Sequence, residues 1–158
     1  MPALTASYSG FVNGDTASSL TTPPALATTA TASSPVGSYS ITASGAASPN
    51  YTINYASGTL TVDAAALTIT AANASKLYGA ALPALAASYS GFVNGDTASS
   101  LTTLPALATT ATASSPVGSY SITVSGAASP NYTISYASGT LTVNPAALTI
   151  TAANASKL

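Results

Sequence analysis

Residues 64–71 read Ala-Ala-Ala-Leu-Thr-Ile-Thr-Ala, and residues 145–152 read Pro-Ala-Ala-Leu-Thr-Ile-Thr-Ala. In both copies large apolar residues alternate with threonine, which is the period-two pattern of a strand with one buried face and one wet face. The two copies lie 81 residues apart. This stretch therefore predicts a β-strand that opens a repeating module.

The repeat extends over the whole chain. Residues 1–77 align without a gap onto residues 82–158 and differ at only seven positions. The differing pairs are Met1/Leu82, Thr5/Ala86, Pro23/Leu104, Ala43/Val124, Asn54/Ser135, Asp63/Asn144 and Ala64/Pro145. Self-similarity this close indicates one duplicated module.

Module boundaries are predicted at the linker-like stretches 63–66 and 144–147. Pro145 lies in the second of these, and proline disfavours the interior of a strand ladder. The chain then divides into residues 1–63, a first repeat without its opening strand; residues 64–144, a complete second repeat; and residues 145–158, the opening strand of a third.

Strand signals recur along each repeat and are separated by turn signals such as Asn13-Gly14-Asp15. Alternating runs occur at residues 39–42, 51–55, 60–62 and 67–70, and weaker ones at 4–8 and 26–32. Six or seven short strands in 81 residues predict an all-β fold of two tandem immunoglobulin-like antiparallel β-sandwich repeats, the first lacking its opening strand. Tyr39 could form a tyrosine corner or serve as an ordinary inward aromatic.

The composition leaves little room for chemistry. Ala, Ser and Thr account for 85 of the 158 residues, and Cys, His, Trp, Arg, Glu and Gln are absent. Without imidazole or thiolate groups the usual bases, nucleophiles and soft metal ligands are missing, so we predict no enzyme and no cofactor. Two cationic side chains are too few for a surface that binds nucleic acid. No apolar run is long enough for membrane insertion.

The few charged and amide side chains have structural interpretations. Asp15 and Asp96 are interpreted as turn residues, because calcium needs six to eight oxygens from several groups; no metal site is predicted. Lys76 and Lys157 are interpreted as solvated or paired with a turn aspartate. Acceptor patterns for glycosylation at Asn50, Asn73, Asn131 and Asn154 are expected by chance in a chain this rich in Ser and Thr.

A string of short motifs resembles the MBG domain of the YGX type. The string consists of Lys76-Leu77-Tyr78-Gly79, Tyr89-Ser90-Gly91-Phe92-Val93-Asn94-Gly95-Asp96, Val117-Gly118-Ser119-Tyr120-Ser121-Ile122, Asn131-Tyr132-Thr133-Ile134 and Gly139-Thr140-Leu141-Thr142-Val143. The resemblance covers residues 64–144 and, from Tyr8 onward, the first repeat. It implies tandem arrays in large bacterial surface and secreted proteins of the adhesin kind, without enzymatic activity and without a specified ligand.

The segment 146–158 suggests how the first repeat is completed. A repeat without its opening strand exposes a sheet edge and an apolar slot. Leu148, Thr149, Ile150 and Thr151 carry the pattern that fits the slot. If the units stack end to end, the four residues between Val143 and Leu148 reach only about 13 Å, too short for the chain to fill its own slot. The hypothesis is donation to the next molecule, head to tail; the alternative is a covalently adjacent repeat in a longer array.

These observations predict a non-enzymatic structural repeat. The repeat would form a stalk, spacer or head-to-tail filament of an extracellular protein on the bacterial cell surface. Its partners would be copies of itself. The alternative from another class is an adhesive module that binds carbohydrate or a host surface through hydroxyl-rich faces or loops. Outward threonines such as Thr59, Thr61, Thr68 and Thr70 could provide such a face, although wet-face threonine is ordinary in a β-sandwich.

Overall fold

The structure, a computed structural model, describes residues 1–157 and consists of β-strands with two short 3₁₀ turns. It divides into two compact units, Met1–Ala64 and the described chain from Ala65 onward. Among the residues that it describes, no helix is long and apolar enough to cross a lipid bilayer.

The first unit contains one three-stranded antiparallel sheet. Its strands are β1 (Ala25–Thr28), β2 (Gly37–Ser44) and β3 (Gly58–Val62), in the order β1-β2-β3. In β2 burial alternates residue by residue, with serine and threonine on the exposed face and Tyr39 and Ile41 on the partly buried face, as expected for a strand. A 3₁₀ turn at Ala17–Ser19 precedes β1.

The second unit contains two sheets. Its strands are β4 (Ala65–Ala71), β5 (Ala74–Leu77), β6 (Ala87–Ser90), β7 (Ala106–Thr109), β8 (Gly118–Ser125), β9 (Tyr132–Ala137) and β10 (Gly139–Asn144). One sheet has the order β5-β10-β8-β7 and the other β6-β4-β9. The two sheets contact each other through β4, which packs against β8 and β10, and through β9, which packs against β8.

Each of the two sheets of the second unit combines parallel and antiparallel strand pairs. Of the seven strand pairs among the described residues, five are antiparallel, and β4–β9 and β5–β10 are parallel. Parallel neighbours need a crossover connection, and the chain supplies one in each case because β4 and β5 come early in the unit and β9 and β10 come late. The prediction of an all-β fold in two tandem repeats is confirmed. The predicted antiparallel sandwich needs one correction, because β4 pairs with β9 and β5 with β10 in parallel.

The hydrophobic core lies in the second unit. Leu67, Ile69, Ile122 and Leu141 are completely buried there, and Val143 is nearly so. Two of the five come from β4, the strand that the opening sequence stretch predicts. Full burial of such a side chain contributes about 1.5–3 kcal/mol, so β4 supplies a large part of what holds the two sheets together.

Candidate functional site: an open groove in the first unit

Strand β4 is the central strand of its sheet in the second unit. It pairs in parallel with β9, where Leu67 lies opposite Ile134, and antiparallel with β6, where Ile69 lies opposite Tyr89. Both of its edges therefore carry ladder hydrogen bonds, and its inward side chains Leu67 and Ile69 are completely buried. The sheet β6-β4-β9 cannot exist without it, because β6 and β9 are not neighbours.

Side-chain hydrogen bonds fix β4 at two further points. On the outward face, the hydroxyl oxygens of Thr68 and Ser135 lie 3.0 Å apart. Just after the strand ends, the Asn73 side-chain oxygen accepts a hydrogen bond from the backbone N–H of Thr140 at 2.8 Å. Asn73 thus has a structural role at a position where the sequence offered only a glycosylation pattern.

Two glycines make room for the backbone of this segment. A Cβ atom on Gly139 would overlap the carbonyl oxygen of Ala71 and lie 2.9 Å from that of Ala72. A Cβ atom on Gly91 would overlap the carbonyl oxygen of Ala66. These positions need glycine because another backbone passes too close for any side chain.

Strand β5 brings Lys76 into the interior, which corrects the expectation of a solvated lysine. The side chain is only 7% exposed, and its Nζ donates hydrogen bonds to the carbonyl oxygens of Ala80 at 2.9 Å and Ala113 at 2.8 Å. Buried ammonium groups are costly unless they are hydrogen-bonded, and these carbonyls provide the bonds. Lys76 therefore fastens β5 to the loop that contains Ala113.

The first unit has no counterpart of β4, and a groove of about 600 Å³ lies where β4 runs in the second unit. Its walls are residues 5–11 and 51–58, and its floor includes Leu26, Ile41 and Ala43. The counterparts of the walls in the second unit are β6 and β9, the two strands that pair with β4. In the first unit residues 6–9 and 51–56 belong to no strand.

Burial differs between the two units at matching positions. Ile122 and Leu141 are completely buried, whereas Ile41 and Leu60, the same residues 81 positions earlier, are only partly buried. Tyr132 is 5% exposed, and its counterpart Tyr51 is half-buried. The groove therefore exposes apolar side chains that the second unit covers.

The end of the groove is nevertheless built as in the complete unit. The ring of Phe11 stacks on Tyr8 at 5.7 Å and meets Tyr51 edge-on at 5.4 Å; in the second unit Phe92 does the same with Tyr89 at 5.6 Å and Tyr132 at 5.5 Å. Equal geometry with and without β4 means that this end of the groove is preformed.

A tyrosine–aspartate hydrogen bond supports that end in each unit. The hydroxyl of Tyr51 donates to Asp15 Oδ2 at 2.7 Å, and the hydroxyl of Tyr132 donates to Asp96 Oδ2 at 2.7 Å. Burial, together with the Asp96 carboxylate, raises the pKa of Tyr132 against the opposing hydrogen bond from the Val93 backbone N–H. For Tyr51 the Val12 N–H is the largest single influence and lowers the pKa, but Asp15 and burial together raise it.

The glycines of the first unit face open space where their counterparts face backbone. A Cβ atom on Gly10 would meet nothing within 4 Å, whereas one on its counterpart Gly91 would strike Ala66. A Cβ atom on Gly58 would make only ordinary contact with Ile41, at 3.7 Å. The groove thus keeps the space that a β4-like backbone needs.

The four residues predicted as a donor strand are all exposed to solvent. Leu148 and Ile150 are 85% and 88% exposed, and Thr149 and Thr151 are exposed as well. All four lie outside the strands. Their counterparts in β4 are Leu67, Thr68, Ile69 and Thr70, so the same sequence is core in one place and surface in the other.

The tyrosine corner is present in both units. The hydroxyl of Tyr39 donates to the carbonyl oxygen of Pro35 at 2.8 Å, and Tyr120 does the same with Pro116 at 2.9 Å. Each carbonyl lies four residues upstream, as in a tyrosine corner, so the reading of Tyr39 as only an inward aromatic omits this bond. The Ser-Pro-Val-Gly stretch before each tyrosine is the sequence signal.

Comparison with known proteins gives a match to a protein family. The model of the family described as MBG domain (YGX type) matches residues 1–61 and 67–142. No curated protein and no solved structure matches the chain. The family is a structural or adhesin-type module typical of secreted surface proteins, and is not a known family of enzymes. Because its model matches most of the chain in two successive segments, the chain belongs to the MBG domain (YGX type) family and carries the domain twice in tandem.

Proposed function

We propose that the chain is a non-enzymatic spacer in a bacterial cell-surface or secreted protein of the adhesin type. The observation that carries this proposal is the connection between repeats. Strand β3 ends at Val62 and β4 begins at Ala65, so two residues separate the last strand of one module from the first strand of the next. A chain of such modules has almost no linker to extend before the folded parts bear load.

The composition of the modules supports the same role. Residues 82–158 repeat residues 1–77 with seven changes, and both copies carry almost no charge and no histidine, cysteine, arginine or glutamate. Threonines on the outward faces, such as Thr59 and Thr68, are exposed by simple strand alternation. Function then resides in the number of modules and their resistance to unfolding.

Single-molecule pulling tests the spacer role. The 158-residue chain is compared with chains that carry one or two further copies of residues 64–144 after Asn144. Each added copy should add one unfolding step that lengthens the chain by up to about 280 Å, because 81 residues extend by about 3.5 Å each. If the number of unfolding steps does not rise with the number of added copies, the proposal is contradicted.

The same proteins test the alternative of an adhesive module. Saturable binding to a carbohydrate, abolished when Thr59 and Thr68 are replaced by valine, would favour binding through a hydroxyl face. The spacer proposal expects no such binding at any copy number.

A further inference from the structure

We propose that the parallel pairing of residues 65–77 with residues 132–144 is the part of the second unit that resists tension along the chain. These two segments are called the entry segment and the exit segment, and the pairing between them is called the parallel ladder. The proposal rests on the spacer role, and it adds which hydrogen bonds bear the load.

The parallel ladder keeps one register through both sheets. Ala65 lies opposite Tyr132 at the start of β4, and Leu77 lies opposite Asn144 at the end of β5. The strand pair β4–β9 belongs to one sheet and the strand pair β5–β10 to the other. The entry and exit segments therefore stay side by side while both pass from one sheet to the other.

The crossing between the sheets is also bonded. Asn73 lies between β4 and β5, and its side-chain oxygen accepts a hydrogen bond from the N–H of Thr140, 67 residues further along the chain. The same separation joins the hydroxyls of Thr68 and Ser135 within the β4–β9 pair. The side chain of Asn73 thus continues the ladder where the entry segment is not in a strand.

Backbone hydrogen bonds extend the ladder at both of its ends. The N–H of Ala65 donates to the carbonyl oxygen of Asn131 at 3.0 Å, and the N–H of Tyr78 donates to the carbonyl oxygen of Asn144 at 2.8 Å. The bonded contact therefore spans the full length of both segments.

Tension reaches the second unit at opposite ends of this ladder. The backbone enters β4 at Ala65 and leaves β10 after Asn144. Because the two segments are parallel, Ala65 lies where both segments begin and Asn144 lies where both end. Tension between these two points acts along the strands, across evenly spaced hydrogen bonds, so the bonds share the load and must break together.

The other strand pairs do not connect the entry segment to the exit segment. Among the described residues β6 pairs only with β4, and β5 pairs only with β10. Strand β10 is held in place by its antiparallel ladder with β8. Lys76 holds β5 at its position through the carbonyl oxygens of Ala80 and Ala113. Separation of the entry segment under tension therefore requires rupture of the parallel ladder.

The direction of pulling tests the proposal. The chain has no cysteine, so two introduced cysteines define where the force acts, and Asp63, Ala80 and Pro145 are exposed. Asp63→Cys with Pro145→Cys loads the ladder along its strands, whereas Ala80→Cys with Pro145→Cys pulls its strands apart from one end. At the same constant force the second unit should last at least about 25-fold longer in the first arrangement, the effect of two bonds that break together at about fivefold each.

Equal lifetimes in the two arrangements overturn the proposal. The spacer role has a different readout, the number of unfolding steps, which rises with the number of added copies whichever bonds bear the load. A rising number of steps together with equal lifetimes rejects the parallel ladder and leaves the spacer role standing.

Substitution of Asn73 tests one bond of the ladder. Asn73→Ala removes the oxygen that accepts from Thr140 at 2.8 Å, so unfolding under constant force along the strands should become about fivefold faster. Asn73→Asp keeps an acceptor oxygen at this position and should restore the slower rate.

Ser115→Ala is the matched control for Asn73→Ala. It removes a side-chain oxygen that also accepts from a backbone N–H at 2.8 Å, that of Thr112, but lies outside the ladder. It should lower the melting temperature and leave the unfolding rate under force unchanged. Equal unfolding rates of Asn73→Ala and Ser115→Ala under force contradict the proposal.

Discussion

At the scale of single residues, the side chains that matter most are those whose role depends on a partner distant in sequence. Lys76 has the sequence context of a surface lysine, yet it is buried because the carbonyls of Ala80 and Ala113 converge on it. Gly139 has the context of a turn glycine, yet it is needed where the backbone of Ala71 passes. Neither role could be predicted from the sequence, because both arise from close approach across the fold rather than from local propensity.

The Tyr132–Asp96 pair gives the stability a dependence on alkaline pH. The pKa of Tyr132 is raised in the folded chain above its ordinary value of 10.0. The folded state therefore holds this proton more tightly than the unfolded state, so the stabilisation is complete below about pH 10 and is lost as pH rises through the folded pKa. We expect the melting temperature to fall as the pH rises through the raised pKa of Tyr132.

Tyr132→Phe is the variant that checks this expectation. It should melt at a lower temperature at neutral pH, because the hydrogen bond to Asp96 is lost, and its melting temperature should decline less above pH 10. Tyr136→Phe is the control, since it removes a hydroxyl that donates only to the Ala127 carbonyl. A pH profile of Tyr132→Phe that parallels that of Tyr136→Phe would exclude the pair as the source.

At the scale of elements, the two repeats show how far alternation alone predicts a strand. The runs at residues 39–42, 60–62 and 67–70 are confirmed as parts of β2, β3 and β4. The run at 51–55 forms no strand, whereas the same pattern 81 residues later is β9. Alternation of apolar and polar residues makes a segment suitable for a β-strand. The strand also needs a neighbouring strand to hydrogen-bond with, and for β9 that neighbour is β4.

Hydrogen exchange should display this difference directly. Amides of residues 132–137 bonded to β4 should exchange at least about 100-fold more slowly than those of 51–56, because only the former open with the packed sheet. Peptides from the two regions differ in mass at Asn54 and Ser135, so mass spectrometry resolves them.

Strands β2 and β8 provide the internal reference for that measurement. Each is the central or an inner strand of an antiparallel ladder with both neighbours present in its own unit. Their protection should therefore be far more alike than that of the two wall segments. Equal protection of 51–56 and 132–137 would mean that residues 51–56 find another partner, and the open groove would not describe the chain in solution.

At the scale of the whole molecule, the informative change is to supply a β4-like strand to the first unit in the same chain. Extending the N-terminus with residues 64–81 restores the spacing of the repeat, because Met1 corresponds to Leu82. The added leucine and isoleucine should cover Ile41 in the groove, as Leu67 and Ile69 lie in the core with Ile122 in the second unit. The extended chain should therefore melt at a higher temperature, because burial of each such side chain contributes about 1.5–3 kcal/mol.

Differential scanning calorimetry checks this outcome. The control extension carries glutamate in place of that leucine and isoleucine, and it should not raise the melting temperature. Equal melting temperatures of the two extended chains would show that the groove does not accept a β4-like strand.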